Sequence, residues 1–416
     1  RLNQLVDVSD GQKRVYEDRM KEIFQGYDRV SVQYIDMWQI GNYVSWIYCC
    51  EKNALLQGRT YILWYPVVLN NRSDWQLKGA NTYLLSKLKT NGMEVLSIAT
   101  IDFWRYVMQY HSELFIFENR FSRIDWIQDF NTFAMTLGCH LQKHYLSFSV
   151  KEEEIAHEKL DEMGIKGDFV CFAVRDAIYF RQVAGYQTDI SMRSAKYRNS
   201  DVTKCQLAME NLERQSLLAV RMGAVVSGSL DWKNTIDYAY TCRDEFMDVY
   251  LAAKCRFFVS NPSGIQAFPQ LFSKPLVSIN TTILTMRNDL LILTSRKRDL
   301  VILKKYWWKR EKRYLTFSEM MERETDEQYH DFASIGTYTA YDLEGIVPVE
   351  NTPEEINDVV QEMVARLNGT MVYTEEDERL QQKYFDLIDT YPMKNNFPFM
   401  WRIGAKFLRD NAWLLE

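Results

Sequence analysis

Apolar and polar positions change their spacing repeatedly along the chain, and each change predicts an element. Val15, Met20, Ile23 and Phe24 recur at helical spacing, so residues 13–27 are expected to form a leading helix. Val30 to Ile35 alternates like a strand, Gln39-Ile40-Gly41-Asn42 breaks it, and a helical run follows from Tyr43 to Leu56. Arg59 to Leu69 reads as the next strand, with Pro66 marking an irregularity or the edge of a sheet. Helix over 81–89, strand over 93–98 and helix over 101–110 continue the alternation, which argues for a parallel α/β layer.

The pattern restarts near Val150. Lys151-Glu152-Glu153-Glu154 leads into a helix over 153–163 that Gly164 ends in the C′ manner. Strands are then expected over 169–174, 217–221, 235–237, 257–259 and 276–279, with helices over 202–214, 244–253 and 266–272. Two Rossmann-like lobes in sequence are the architecture this predicts, residues 1–150 and 151–390. A helix within residues 391–416 follows them, expected over 403–415. Residues 296–314, SRKRDLVILKKYWWKREKRY with its flanking serine, are basic and aromatic. Charge at this density reads as a solvated loop, with contact to an anionic membrane surface as its alternative use. Helix resumes at 316. Thr352 as N-cap and Pro353 at N1 then start a helix ending near Asn368-Gly369, and Glu375 to Thr390 is amphipathic helix.

Composition narrows the function classes. A length of 416 residues suits two or three lobes, and 47% hydrophobic content suits well-packed ones. A net charge of −6 argues against a nucleic-acid binder. The 14% aromatic content fits carbohydrate stacking and large aromatic cores alike. Seven cysteines without a CxxC pair read as reduced thiols of a cytoplasmic protein. The polar opening residues do not resemble a secretory signal, and no apolar run reaches the length of a bilayer span.

The richest stretch is Cys255 to Asn280, a strand, turn, helix and strand in which Ser260-Asn261-Pro262-Ser263-Gly264 forms the turn. A helix starting at the carboxyl end of a strand offers unpaired amides to an anion, and Ser263 and Gly264 allow close approach. If the strands after Val150 are parallel, their carboxyl ends bring further polar groups to the same edge. Arg175, Arg198 and Arg221 are expected to clamp a diphosphate through paired donors. Asp176 and Asp237 are expected to accept from ribose or sugar hydroxyls, with Tyr197, Asn199, Tyr238 and Asn280 beside them. Asp201 and Asp244 serve equally well as helix N-caps, and Asp248 is a weaker candidate one turn inside its helix. No D-x-D triplet occurs, so arginines and helix amides have to neutralise a departing diphosphate without a metal. His140 and His144 stand at i, i+4 but lack a third ligand nearby. No GxSxG, Walker A or GxGxxG pattern is present.

GDFVCFAVRDAIY, the YRNSD box, VRMG, IDYA, the run from Asp244 to Asn280 and the tail RIGAKFLRDNAWLL together resemble a family of bacterial surface-polysaccharide glycosyltransferases. The resemblance is strongest over 150–285 and returns at the carboxy terminus. Over the first 150 residues it is confined mainly to the strand–glycine–helix around Gln39-Ile40-Gly41. More distantly, the SNPSG turn is similar to the donor-diphosphate turn of heptosyltransferases, which have the two-Rossmann GT-B architecture with carboxy-terminal helices crossing back to the first lobe. The resemblance implies a glycosyltransferase that uses a nucleotide-sugar as substrate, with the donor in the carboxy-terminal lobe and the acceptor entering from the amino-terminal lobe. With the missing D-x-D, a metal-independent reaction without cofactor is expected, in a cytoplasmic protein for which peripheral contact with the inner membrane through 296–314 is the alternative. The acceptor implied is a surface glycan or its lipid-linked precursor. Arg175 and Asp176 would be catalytic, and Tyr197, Arg198, Asn199, Arg221, Asp237, Tyr238, Asp248, Ser260, Asn261, Ser263, Gly264 and Asn280 would line the donor side. The heptosyltransferase-like turn usually carries an aspartate where this chain has Asn261 or Pro262, and a histidine that is missing here. An inverting reaction would need a base, for which Asp36 is an alternative to Asp176. The rival readings are a nucleotide-sugar epimerase on the same fold and a non-catalytic nucleotide-binding subunit of a polysaccharide assembly complex.

Overall fold

A computed structural model describes residues 5–25, 30–32, 44, 63–66, 81–89, 94–96, 101–112, 115–116, 146–178, 197–282, 297–325, 341–390 and 401–416. The chain divides into two compact units, one of Arg1–Ile124 and Met135–Ser147 and one of Asp125–Ala134 and Phe148–Glu416.

In the first unit, helix α1 (Asp10–Phe24) is fixed at its start by Ser9 and Gln12, which exchange side-chain and backbone hydrogen bonds. Strands β1 (Val30–Val32), β2 (Leu63–Pro66), helix α2 (Thr82–Lys89), β3 (Glu94–Leu96), α3 (Ile101–Tyr110) and β4 (Phe115–Ile116) follow. Asn81 caps α2 by accepting from the Leu84 amide at 2.7 Å. The four strands are parallel in the order β3-β2-β1-β4. Pro66, read from sequence as an irregularity or edge, ends an interior strand opposite Leu96. Tyr106 and His111 both bond the Glu17 carboxylate, tying α3 to α1 and holding that carboxyl below its usual range. The expected break at 39–42 and the body of the helix over 43–56 lie outside the described residues, apart from a helical Val44.

The second unit opens with α4 (Val150–Glu162), which starts three residues earlier than expected because Ser149 and Glu152 form a capping box. Gly164 ends it at φ +75°, the left-handed conformation that glycine adopts without strain. The chain then builds β5 (Phe169–Ala173), α5 (Gln206–Asn211), β6 (Leu218–Arg221), β7 (Thr235–Ile236), α6 (Tyr238–Thr241), α7 (Glu245–Lys254), β8 (Phe258–Ser260), α8 (Ala267–Leu271), β9 (Leu276–Thr281) and β10 (Leu300–Leu303). Residues 202–215 are not one helix, since 3-10 turns flank the six residues of α5 on both sides.

Residues 296–314 depart most from expectation. Their apolar centre is β10, a fully buried strand of the parallel sheet, and only Lys304 separates it from β11 (Lys305–Trp308). A turn leads to β12 (Arg313–Tyr314), and after α9 (Phe317–Thr325) strand β13 (Ile346–Val349) completes a small antiparallel sheet of order β12-β11-β13. Charge density misled because the cations have internal uses. Lys305 pairs with Glu355 at 2.6 Å, and the Arg313 and Arg323 guanidinium groups lie 5.3 and 4.9 Å from the Trp308 ring. Among the described residues of this segment, the exposed charges are Lys297 and the run from Lys309 to Arg313.

Helix α10 (Pro353–Leu367) has the expected Thr352 cap and first-turn proline, and α11 (Glu375–Asp389) has Thr374 and Asp377 as its capping box. The tail, expected as a helix crossing to the first lobe, is built into the second unit. Its residues form β14 (Arg402–Ile403), which pairs with β10, and α12 (Ala405–Asp410), which packs on α10 and α11. The seven-stranded sheet has the order β14-β10-β9-β8-β5-β6-β7, parallel throughout. The chain runs outward from β5 to β7, then restarts on the other side of β5 at β8. The carboxyl ends of β5 and β8 are therefore the topological switch point of a Rossmann-like sheet.

Asn351 locks the small sheet to this edge. Its Oδ1 accepts from the Asn280 amide at 2.6 Å, its Nδ2 donates to Leu303 O at 2.9 Å, and its own amide donates to Asn280 Oδ1 at 2.7 Å. Asn351→Ala strands the Asn280 amide and the Leu303 carbonyl in a dry interior, so a loss of about 2–5 kcal/mol is expected in urea unfolding.

Candidate functional site

The switch point gathers the residues that sequence places there, but their side chains divide into committed and open groups. Ser260 ends β8 in register with Ala173 and Ser278. Asn261, the next residue, is fully buried. Its Oδ1 accepts from the Arg175 amide at 2.9 Å, and its Nδ2 donates to Arg198 O at 2.7 Å and Ser200 Oγ at 3.2 Å. Ser200 N in turn donates to Arg175 O at 3.0 Å. One amide side chain thus fixes the exit of β5, the YRNS box and the exit of β8, bringing the backbones at Arg175 and Arg198 side by side. Both arginines are half-buried.

Lys304 braces the same box from β10 and was missed by sequence reasoning, which absorbed it into the basic segment. It is 1% exposed, and its Nζ donates to Tyr197 O at 2.9 Å and Asn199 O at 2.8 Å. The three consecutive carbonyls of residues 197–199 are therefore all held by side chains at the sheet edge. Burial pushes the Lys304 ammonium down to about 8. Lys204 and Arg175 push the same way, and Glu350 opposes them.

Four buried polar atoms at this edge have no partner among the described residues: Asn199 Oδ1, Ser260 Oγ, Ser263 Oγ and Asn280 Nδ2. Ser260 and Asn280 are themselves 0% and 1% exposed. Buried polar groups normally find a partner in protein, water or ligand, so these four atoms are the groups at this edge that a polar ligand could engage. Asn280 sits at φ +50°, a left-handed conformation that asparagine tolerates better than most residues. The turn Ser260-Asn261-Pro262-Ser263-Gly264 runs into a short 3-10 turn and the five residues of α8, and Ser263 makes no side-chain cap bond there.

Other expected site residues have structural work. Tyr197 is a core residue, its hydroxyl donating to Asp342 and Ile346 O and its ring packed with Tyr306 and Tyr341. Arg221 has its Nη1 committed within the protein: it pairs with Asp237 at 3.2 Å and donates to Gly228 O at 2.6 Å, and both side chains of the pair are 4% exposed. Asp237 also accepts from the Leu230 amide. The Tyr238 hydroxyl bonds Asp244 O and Asp248, and Asp248 receives Arg243 on its other oxygen. Burial raises the Asp248 carboxyl to about 6. Asp176 is half-buried with its two oxygens accepting from the Ile178 and Ser227 amides, so it shapes the turn after β5. Asp201 and Asp244 are N-caps.

Among the described residues there is no group of three or more His, Cys, Asp or Glu that could hold a metal ion, and no helix is long and apolar enough to cross a membrane. His140, His144 and Asp36 lie outside the described residues. No family model, curated protein or solved structure matches this chain. The resemblance to glycosyltransferases accordingly stands on its motifs alone.

The Arg221–Asp237 pair has a direct test. Arg221→Met leaves a buried carboxylate uncompensated and should cost about 3–5 kcal/mol in urea unfolding. Adding Asp237→Asn should recover part of the loss. A cost below about 1 kcal/mol for the single variant would mean that the arginine is not held by this pair and is open to a ligand.

Proposed function

We propose that this protein is a nucleotide-sugar-dependent glycosyltransferase of GT-B type, transferring a sugar to a surface glycan or its lipid-linked precursor. In this reading the donor diphosphate lies at the carboxyl ends of β5, β8 and β9. The observation that carries it is the meeting of unpartnered Ser260, Ser263 and Asn280 side-chain atoms with two arginine-bearing loops at the switch point of a parallel sheet. Open α/β sheets bind ligands at such a crevice.

In glycosyl transfer the bond from anomeric carbon to diphosphate oxygen breaks as the acceptor oxygen bonds to that carbon, and negative charge develops on the leaving diphosphate. Fixed donors aimed at that charge lower the barrier without reorganising during reaction. Arg175 and Arg198 supply cations, and Ser260 Oγ, Ser263 Oγ and Asn280 Nδ2 supply neutral donors. Asp176 accepts one backbone amide on each oxygen, which holds it in place at this edge and leaves each oxygen a free lone pair. In an inverting reaction Asp176 is the described carboxylate at this edge to take the acceptor proton. The second reading is a nucleotide-binding assembly subunit without turnover.

Thermal unfolding against millimolar UDP, GDP, ADP, CMP, CDP and dTDP, with and without EDTA, tests the donor site. A ligand at ~100 times its dissociation constant stabilises by about 2.7 kcal/mol, so a selective shift that survives EDTA is expected. No shift with any of them would remove the nucleotide reading. With a donor in hand, Arg175→Ala should slow transfer by about 100-fold, as loss of a leaving-group donor does. An unchanged rate would take Arg175 out of the mechanism.

A further inference from the structure

The buried lysine at the end of β10 has more to do than hold two carbonyls. We infer that Lys304 is a positioning residue of the anion site, holding residues 197–199 so that Arg198 stands beside Arg175, and adding its own positive charge to the field that retains the anion. This inference rests on the proposed diphosphate site.

Three observations carry it. Lys304 Nζ spans Tyr197 O and Asn199 O while Asn261 takes Arg198 O between them, so the backbone bearing Arg198 is fixed by two side chains from two strands. Asn199, one of the residues so held, presents an unpartnered Oδ1, an acceptor suited to a sugar hydroxyl beside the diphosphate and not to the phosphate oxygens themselves. Finally, the charges facing Lys304 do not match it with a close anion. Arg175 after β5 and Lys204 in the 3-10 turn before α5 are cationic, and among the described residues Glu350 after β13 is the carboxylate that opposes them. Glu350 is itself shared, accepting from the Asp201 amide at 3.0 Å and lying 3.8 Å from Lys204. Lys305, the next residue, turns to Glu355 and takes no part. A diphosphate entering between Arg175 and Arg198 would supply the missing negative charge.

The structural and electrostatic roles of Lys304 separate with pH. A neutral amine keeps two N–H groups, enough for both carbonyls, so loss of the proton removes the charge and leaves the brace. The free protein holds the Lys304 proton below a pH of about 8. A bound anion favours the charged form and raises its pKa, so binding above that pH has to take up a proton. Affinity is then greatest below pH 8 and falls as pH rises through it, tenfold for each pKa unit the anion restores.

The experiment is titration calorimetry of the full chain with UDP, GDP, ADP, CDP and dTDP, at about pH 7 and about pH 9, on the wild type, Lys304→Arg and Lys304→Gln. The tightest ligand is repeated in two buffers of different ionisation enthalpy, bracketing the ammonium pKa. The wild type should bind about tenfold more weakly at the higher pH and take up a proton there. Lys304→Arg, charged at both pH values, should bind with little change between them. Lys304→Gln should bind about tenfold more weakly at the lower pH and lose the proton uptake. Ligand titration is common to all three proteins and cancels in the comparison. Should Lys304→Gln fail to fold, the wild type and Lys304→Arg still decide. Binding in the wild type with the same pH profile as Lys304→Arg overturns the inference and leaves the diphosphate site standing. No binding of any nucleotide at either pH overturns both.

Discussion

The amide side chain of Asn261 is the joint on which the carboxyl edge of the large sheet depends. At a switch point the connections leaving two adjacent strands go separate ways, so nothing in the ladder of strand hydrogen bonds holds their exits together. Asn261 does so by accepting from one backbone and donating to another. An aspartate could accept from Arg175 but could not donate to Arg198 O. An aspartate at position 261 is therefore incompatible with the bonding that Asn261 makes here. Asn351 repeats the solution at the end of β13, spanning two backbones with one side chain, and Lys304 at the end of β10 holds two carbonyls of one loop.

Much of the fold was legible because it is local. Thr352-Pro353 and Gly164 mark helix ends through chemistry within one turn, and the apolar runs of β5, β8 and β9 are long enough to read alone. Failures came where the deciding partner is distant in sequence. Ile403 is expected from the sequence to open the tail helix, yet with Arg402 it extends as a strand because β10 offers an edge to pair with. Residues 300–303 are apolar within a charged window, and the window average concealed a central strand. Of the site, position was legible and direction was not. Tyr197 and Arg221 do lie at strand and loop ends near the edge, but Asp342, 145 residues away, takes one hydroxyl, and Asp237 takes the other's guanidinium. Lys304 escaped notice because lysine is seldom fully buried, which is also why its burial is informative.

The edge thus holds two kinds of polar group at neighbouring positions. Toward β6 and β7 the groups are closed on one another, with Arg221 and Asp237 satisfying a loop as well as themselves. From β5 to β10 some are left without a protein partner. A buried hydroxyl or amide without a partner costs stability, and a fold that needed only rigidity would carry an apolar side chain there. Under the proposed function, the donor would sit at the middle of the sheet edge, beside a rim held by the Arg221–Asp237 pair.

Between the large parallel sheet and the small antiparallel one, the chain turns the corner in a single residue, Lys304. Side chains alternate faces along a strand, so one residue added or removed here would invert the inward and outward sets of whichever sheet yielded. The corner has no slack to absorb such a change. A chain keeping both sheets must therefore keep the interval from Leu303 to Lys305.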